Sequence, residues 1–169
     1  MMKNSVTILL SILLVSCFST HRFKRDNDGF PIIDMSLFTL DKKMNLDNSR
    51  FLDTTALYVE LVSKFSSDYI KENPMILMFH NDGFFVERSK KYFFNFIEEE
   101  EKYPGYYKGR FSLEENKIKM ESFYPSTDGK TNRYKKVISD GEIHGDTISI
   151  EIFKSQHKYI KRSYEDVFK

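Results

Sequence analysis

The sequence predicts a mainly β protein, α+β at its edge. It reads as an antiparallel meander forming an open or closed barrel with one or two short helices, after a cleaved signal peptide. Three observations predict this. From Gly105 onward apolar and polar residues alternate at period two, the pattern of strands with one wet face. The alternating runs are divided by short turns such as Asn81-Asp82-Gly83 and Gly145-Asp146, whose chemistry suits hairpins. The one long apolar run stands at the N-terminus and ends in the only cysteine, Cys17.

That run, MMKNSVTILLSILLVSC, has the parts of an export signal: Lys3, an apolar stretch from Val6 to Val15, and small or aliphatic residues before a cut site. A membrane span needs roughly 20 apolar residues, and Ser19-Thr20-His21-Arg22 interrupts too early. Leu14-Val15-Ser16-Cys17 resembles the bacterial lipobox. The resemblance implies that the Cys17 thiol takes a diacylglyceryl group, that the chain is cut before it, and that the new amino group is acylated. A plain signal peptide with Cys17 there by chance, or an uncleaved anchor, are the alternatives. Lipidation also accounts for an exported protein with one cysteine, which can form no internal disulfide. Several acyl chains, at about 0.8 kcal/mol per buried methylene, hold a protein on a bilayer where one does not. Phe18 follows the cysteine where Asp would signal retention, so resemblance to the sorting rule of enteric bacteria implies the outer membrane, facing the periplasm. The basic residues His21 to Arg25 either rest against anionic headgroups or form a solvated tether.

The expected organisation is therefore a signal peptide over 1–16, a lipid-anchored tether over 17–35, and a single β-rich domain over 36–169. Removing residues 1–16 takes away Lys3 and leaves 25 basic and 25 acidic side chains. Zero net charge gives no support to a nucleic-acid partner, which calls for a basic excess. The length suits one domain with a proper core. Ala56 is the only alanine and tryptophan is absent, while Lys, Asn, Ile, Phe and Tyr abound. AT-rich codons encode these residues, so the aromatic content is weak support for a binding site.

Along the chain, RDNDGFP reads as a turn after the first part of the tether. Between Asp53 and Asn73, Leu57, Val59 and Leu61 alternate as in a strand, while Tyr58, Leu61, Val62, Phe65 and Tyr69 recur at helical spacing and Asn73-Pro74 ends a helix. A short strand leading into a helix or ordered loop is expected. MILMFH and FFVER flank Asn81-Asp82-Gly83 as a hairpin. SKKYFFNFIEEEEKYPG predicts a short helix with Tyr92, Phe93, Phe96 and Ile97 on its buried face and Glu98 to Glu101 at its wet end. After Gly105 come two hairpins. One turns at Glu115-Asn116, with Ile118, Met120 and Ser122 facing one way and Lys117, Lys119 and Glu121 the other. The second turns at Gly145-Asp146, with Ile148, Ile150 and Ile152 sharing a face. HKYIKRSYEDVF reads as a closing strand. Such a meander must close or be covered to hide its edges.

FHNDGFF, YPGYYKGRFSLEENKIKMESF and GEIHGDTISIEIF, in that order, resemble small uncharacterised lipoproteins of the Bacteroidetes over residues 50 to 165. The resemblance implies a lipocalin-like β domain and carries no catalytic residue.

Chemistry is sparse. Gly129-Lys130-Thr131 lacks the first glycine of a phosphate loop, which would fall on Tyr124. RDNDG has Lys24 and Met35 where a calcium loop needs acids. The best polar constellation is DGEIHGD: on one uninterrupted strand Asp140, Glu142, His144 and Asp146 share a face and provide metal ligands or an acid–base pair. The simpler reading has Ile143 inward, the others in water and Gly145-Asp146 as the turn. His80 beside Asp82 is a weaker candidate, and His157 and His21 read as loop and tether residues. The expected function is a membrane-anchored envelope lipoprotein without catalysis or cofactor. It would bind an apolar ligand or an envelope protein, or work by contact alone as a structural or assembly factor. The alternative is a metal-dependent hydrolase built on the Asp140 to Asp146 row.

Overall fold

The computed structural model describes residues 20–25, 31–40, 50–93, 109–125 and 133–169. These fall into two compact units, one of residues 1–32 with 123–137 and the other of 33–122 with 138–169. The apolar run and Cys17 lie outside the described residues, as do Phe96, Ile97 and the run Glu98 to Glu101. No helix among the described residues is long and apolar enough to cross a membrane.

The described residues hold an eight-stranded antiparallel closed barrel. Its strands are β4 (Leu57–Glu60), β5 (Met75–Phe79), β6 (Phe84–Ser89), β7 (Gly109–Glu114), β8 (Lys117–Pro125), β9 (Arg133–His144), β10 (Thr147–Ile152) and β11 (Ser155–Arg162). Each pairs with its neighbour in sequence, and β11 pairs with β4, Ile160 lying opposite Val59. The expected meander is thus an up-and-down barrel. The turns follow local chemistry: Gly83 at φ 86° and Gly145 at φ 56° supply the left-handed backbone that tight hairpins need. In the first, the His80 amide donates to the Phe84 carbonyl and the Gly83 amide to the His80 carbonyl. Between β8 and β9 the Ile143 amide donates to the Asn116 carbonyl at 2.8 Å.

Residues opposite one another across a ladder share a face. Tyr58, Leu77, Phe79, Phe85, Phe111, Ile118, Met120, Ile143, Ile148, Ile150 and Tyr159 point inward and form one buried cluster. Phe79 is its hub, edge-on to Phe111 at 5.0 Å and to Tyr58 at 5.6 Å between ring centroids. Gly141 is required here, because a Cβ would come within 2.6 Å of the Ser149 carbonyl oxygen.

Two patches of the outer wall are also covered. On β4 to β6, Leu57, Ile76 and Val86 lie under Phe93, from the helical stretch 90–93, and Val167, from the C-terminal helix Tyr164–Phe168. This is why MILMF and FFV read as unbroken apolar runs: both faces are buried. Phe93 is buried as expected, but Tyr92 is exposed, since a helix lying on a sheet hides only the stripe that meets it. The C-terminal helix replaces the end of the expected closing strand. Ser163 caps it, accepting from the Asp166 amide while its hydroxyl donates to the Asp166 carboxylate at 2.6 Å.

On β6 to β8 the cover is a strap over residues 33–40. Phe38 meets Phe84 edge-on at 6.5 Å, and Arg110 stacks over Phe84 and donates to the Leu40 carbonyl at 3.2 Å. Glu121, opposite Arg110, is fully buried beneath the strap. Its carboxylate accepts from the Thr39 amide at 2.8 Å, the Thr39 hydroxyl at 2.9 Å and the Leu40 amide at 2.9 Å. Glu121 lies on the face expected for it, with Lys117 and Lys119. It points outward, but the strap replaces the water with oriented donors.

The first barrel strand with its connection, and the chain before the barrel, also differ from a simple sequence reading. Asp53 to Asn73 holds β4 and a short helix, Asp68–Glu72, as expected. Yet Leu61, Phe65 and Tyr69, placed on a helical face by their spacing, are exposed, Phe65 at 87%. In the smaller unit β1 (Thr20–Arg22) pairs with β9, and β2 (Lys24–Arg25) pairs with β3 (Pro31–Ile32). Phe23 packs on Phe123 at 5.2 Å and on Tyr134 at 5.0 Å. So the stretch expected to be a tether carries strands and a buried aromatic, and His21, expected in a loose tether, packs edge-on against Phe123 at 5.4 Å.

Candidate functional site

The barrel interior holds the buried cluster around Phe79. Its polar part lies at the end where β4 and β6 finish. Glu60, opposite Tyr159, and Glu87, opposite Leu77, face inward there. Glu60 Oε1 sits 2.9 Å from His157 Nδ1, and the Tyr159 hydroxyl points at buried Glu87 across 3.5 Å. His157 is thus a half-buried inner-face residue of β11, correcting its reading as a loop residue. The signal was present: Glu60 is in phase with Tyr58, Glu87 with Phe85 and His157 with Tyr159, all at period two. A carboxylate that orients an imidazole is one half of an acid–base device. Among the described residues, no hydroxyl or thiol nucleophile is hydrogen-bonded to this histidine.

The DGEIHGD row does lie on one outward face, with Ile143 inward and Gly145-Asp146 in the turn, but its members part company. Asp140 lies 3.6 Å from Lys119, Glu142 bonds His144 at 2.9 Å, and Asp146 pairs with Lys161 at 3.1 Å. No three metal-ligating side chains are gathered among the described residues. His80 acts through its backbone in the β5–β6 turn.

Asp140 and Glu142 instead line an open groove of about 700 Å³ on the outer wall, with Ser112 and Glu114 of β7, Lys117 and Lys119 of β8, and Leu40 of the strap. Charges of both signs alternate around it. The lining is polar and open to solvent, and its carboxylates and lysines come from separate strands.

At the opposite barrel end from Glu60 and His157 the chemistry is all polar. The Asp53 amide donates to the Tyr58 hydroxyl at 2.9 Å, and the Thr55 hydroxyl donates to Asp53 at 2.7 Å. The Thr55 hydroxyl and amide hold the Asp53 carboxyl below its usual range; burial pushes the Tyr58 phenol up; the bond to Asp146 holds Lys161 protonated beyond its usual range. These are partners in a structural network that ties the start of β4 to the end of β11. No family model, curated protein or solved structure matches this chain.

Proposed function

We propose that the chain is a lipid-anchored lipoprotein of the bacterial envelope whose barrel works without catalysis, as a contact or binding module. The observation that carries this is Leu14-Val15-Ser16-Cys17: the protein's one cysteine closes its one apolar run, where a lipidated residue must stand. The buried cluster around Phe79 favours contact through the outer surface over carriage of an apolar ligand inside. The separate ion pairs of Asp140, Glu142 and Asp146 count against a metal-dependent hydrolase. Phe18 in the position after the anchor favours the outer membrane, periplasmic side.

Metabolic labelling of the full chain with a palmitate analogue tests the anchor. Label should follow the wild-type protein into detergent extracts and be lost in Cys17→Ser, and persistence of label in the variant would overturn the reading. Native mass spectrometry of the mature protein from its own host tests the mode of action. The polypeptide mass alone is expected, whereas a small molecule or metal released on denaturation would make the barrel a carrier or a metal protein.

A further inference from the structure

The two ends of the barrel differ in a way that points to a second membrane contact. In an up-and-down barrel alternate connections lie at the same end. The β4–β5 connection, the start of the β6–β7 connection and the β10–β11 turn therefore share one end, and the β5–β6, β7–β8 and β9–β10 turns share the other. Among the described residues, most exposed large apolar side chains gather at the first: Leu61, Phe65, Tyr69 and Ile70 on β4–β5, Tyr92 on β6–β7, and Phe153 on β10–β11, with Met35, Ile138 and Tyr164 elsewhere. The other end's turns, His80–Gly83, Glu115-Asn116 and Gly145-Asp146, carry none.

Phe153 is the most telling of these. The two-residue turn between Ile152 and Ser155 places Phe153 at φ 50° and Lys154 at φ 65°. Glycine or asparagine takes this backbone readily; for other residues it is strained. The strain holds an aromatic ring out at the tip, 65% exposed. Strain kept at an exposed tip is the mark of a site selected for what it touches.

Three of the exposed aromatics on these separate connections, Phe65, Tyr92 and Phe153 but not Tyr69, stand next to a lysine. Lys64 Nζ lies 5.0 Å over the Phe65 ring, Lys91 Nζ 5.5 Å over Tyr92, and Lys154 follows Phe153. A protein partner calls for one contiguous apolar patch. Aromatics on three separate loops, with a lysine beside one ring of each loop, suit the headgroup region of a bilayer, where rings sink to the acyl boundary and lysines reach anionic phosphates. We infer that this end of the barrel, led by Phe65 and Phe153, docks on an anionic lipid surface.

The absence of tryptophan makes the test direct. Phe65→Trp, Phe153→Trp and, at the other end, Asn81→Trp each give a single-tryptophan protein. All are made in the full chain carrying Cys17→Ser, so the result does not depend on lipidation, and residues 6–15 are common to every variant. With vesicles of phosphatidylcholine containing a quarter of phosphatidylglycerol, emission from positions 65 and 153 should shift to the blue, and that from position 81 should not. The shift should weaken in salt or without the anionic lipid. Phe153→Gly in the Phe65→Trp protein should raise the unfolding temperature by relieving the turn, yet weaken vesicle partitioning about tenfold. A merely structural Phe153 would not separate the two readouts. No shift at 65 and 153, an equal shift at 81, or a blue emission already present without vesicles would each overturn the inference, the last in favour of a face between copies of the chain.

Discussion

The two covered patches of the outer wall solve the same problem by different means. Over β4 to β6, Leu57, Ile76 and Val86 meet Phe93 and Val167 with hardly a directional bond between them. Over β6 to β8 the strap 33–40 is fastened by one buried carboxylate, Glu121, and one guanidinium, Arg110. An apolar cover tolerates small slips and derives its strength from area. A polar fastening is specific, because a donor left without its acceptor is costly once water is excluded. The first patch is built to persist, and the second to hold one segment in one place.

The largest expected effect lies on the apolar side. Phe93→Ala, at a fully buried ring that also stacks on Phe168, should cost about 3–5 kcal/mol, read as a lower urea midpoint. Amide exchange should quicken in the C-terminal helix as well as globally. On the polar side, Glu121→Gln keeps the shape but turns donors toward the Thr39 and Leu40 amides, and should cost about 2 kcal/mol. Its signature is local: residues 38–40 should lose exchange protection while the barrel ladders keep theirs. Equal loss of protection everywhere would show the two covers to be one cooperative unit and erase the contrast. The smallest effect is the acid response of the helix that carries Val167. The Ser163 hydroxyl and amide hold the Asp166 carboxyl below its ordinary range. The folded state thus favours the ionised acid, and its contribution is in place above the unfolded carboxylate pKa near 3.9 and disappears as pH falls through the lowered folded value. Melting temperatures of Asp166→Asn and wild type should therefore differ at neutral pH and converge toward pH 2. A gap that stayed constant in acid would mean that the cap works without its charge.

Much of the barrel was legible in advance because its signals are local. Asn81-Asp82-Gly83 and Gly145-Asp146 announce hairpins, and the alternation of Ile148, Ile150 and Ile152 needs no knowledge of distant residues. Glu121 was not legible: alternation tells which face a residue takes, but not whether a strap 80 residues earlier lies over that face. The strap has no period of its own. The helical spacing of Leu61, Phe65 and Tyr69 carried no sign of their exposure, since a period tells only which residues share a face. The turn at Phe153-Lys154 lacks the glycine that marks such turns. Of the candidate site, the row from Asp140 to Asp146 was placed on the correct face, whereas the Glu60–His157 pair was missed even though its phase was available.

The pairing of β11 with β4 has a consequence for how the molecule comes into being. The first and last strands of the barrel are neighbours, about a hundred residues apart along the chain. Until residues 155–162 have emerged, β4 and β10 each present an unpaired edge, and the interior that β11 seals with Tyr159 is open. A chain that stops short of Ser155 is therefore a sheet with two adhesive borders, prone to join its own kind. Pairing of β11 with both of its neighbours is the step that closes the barrel.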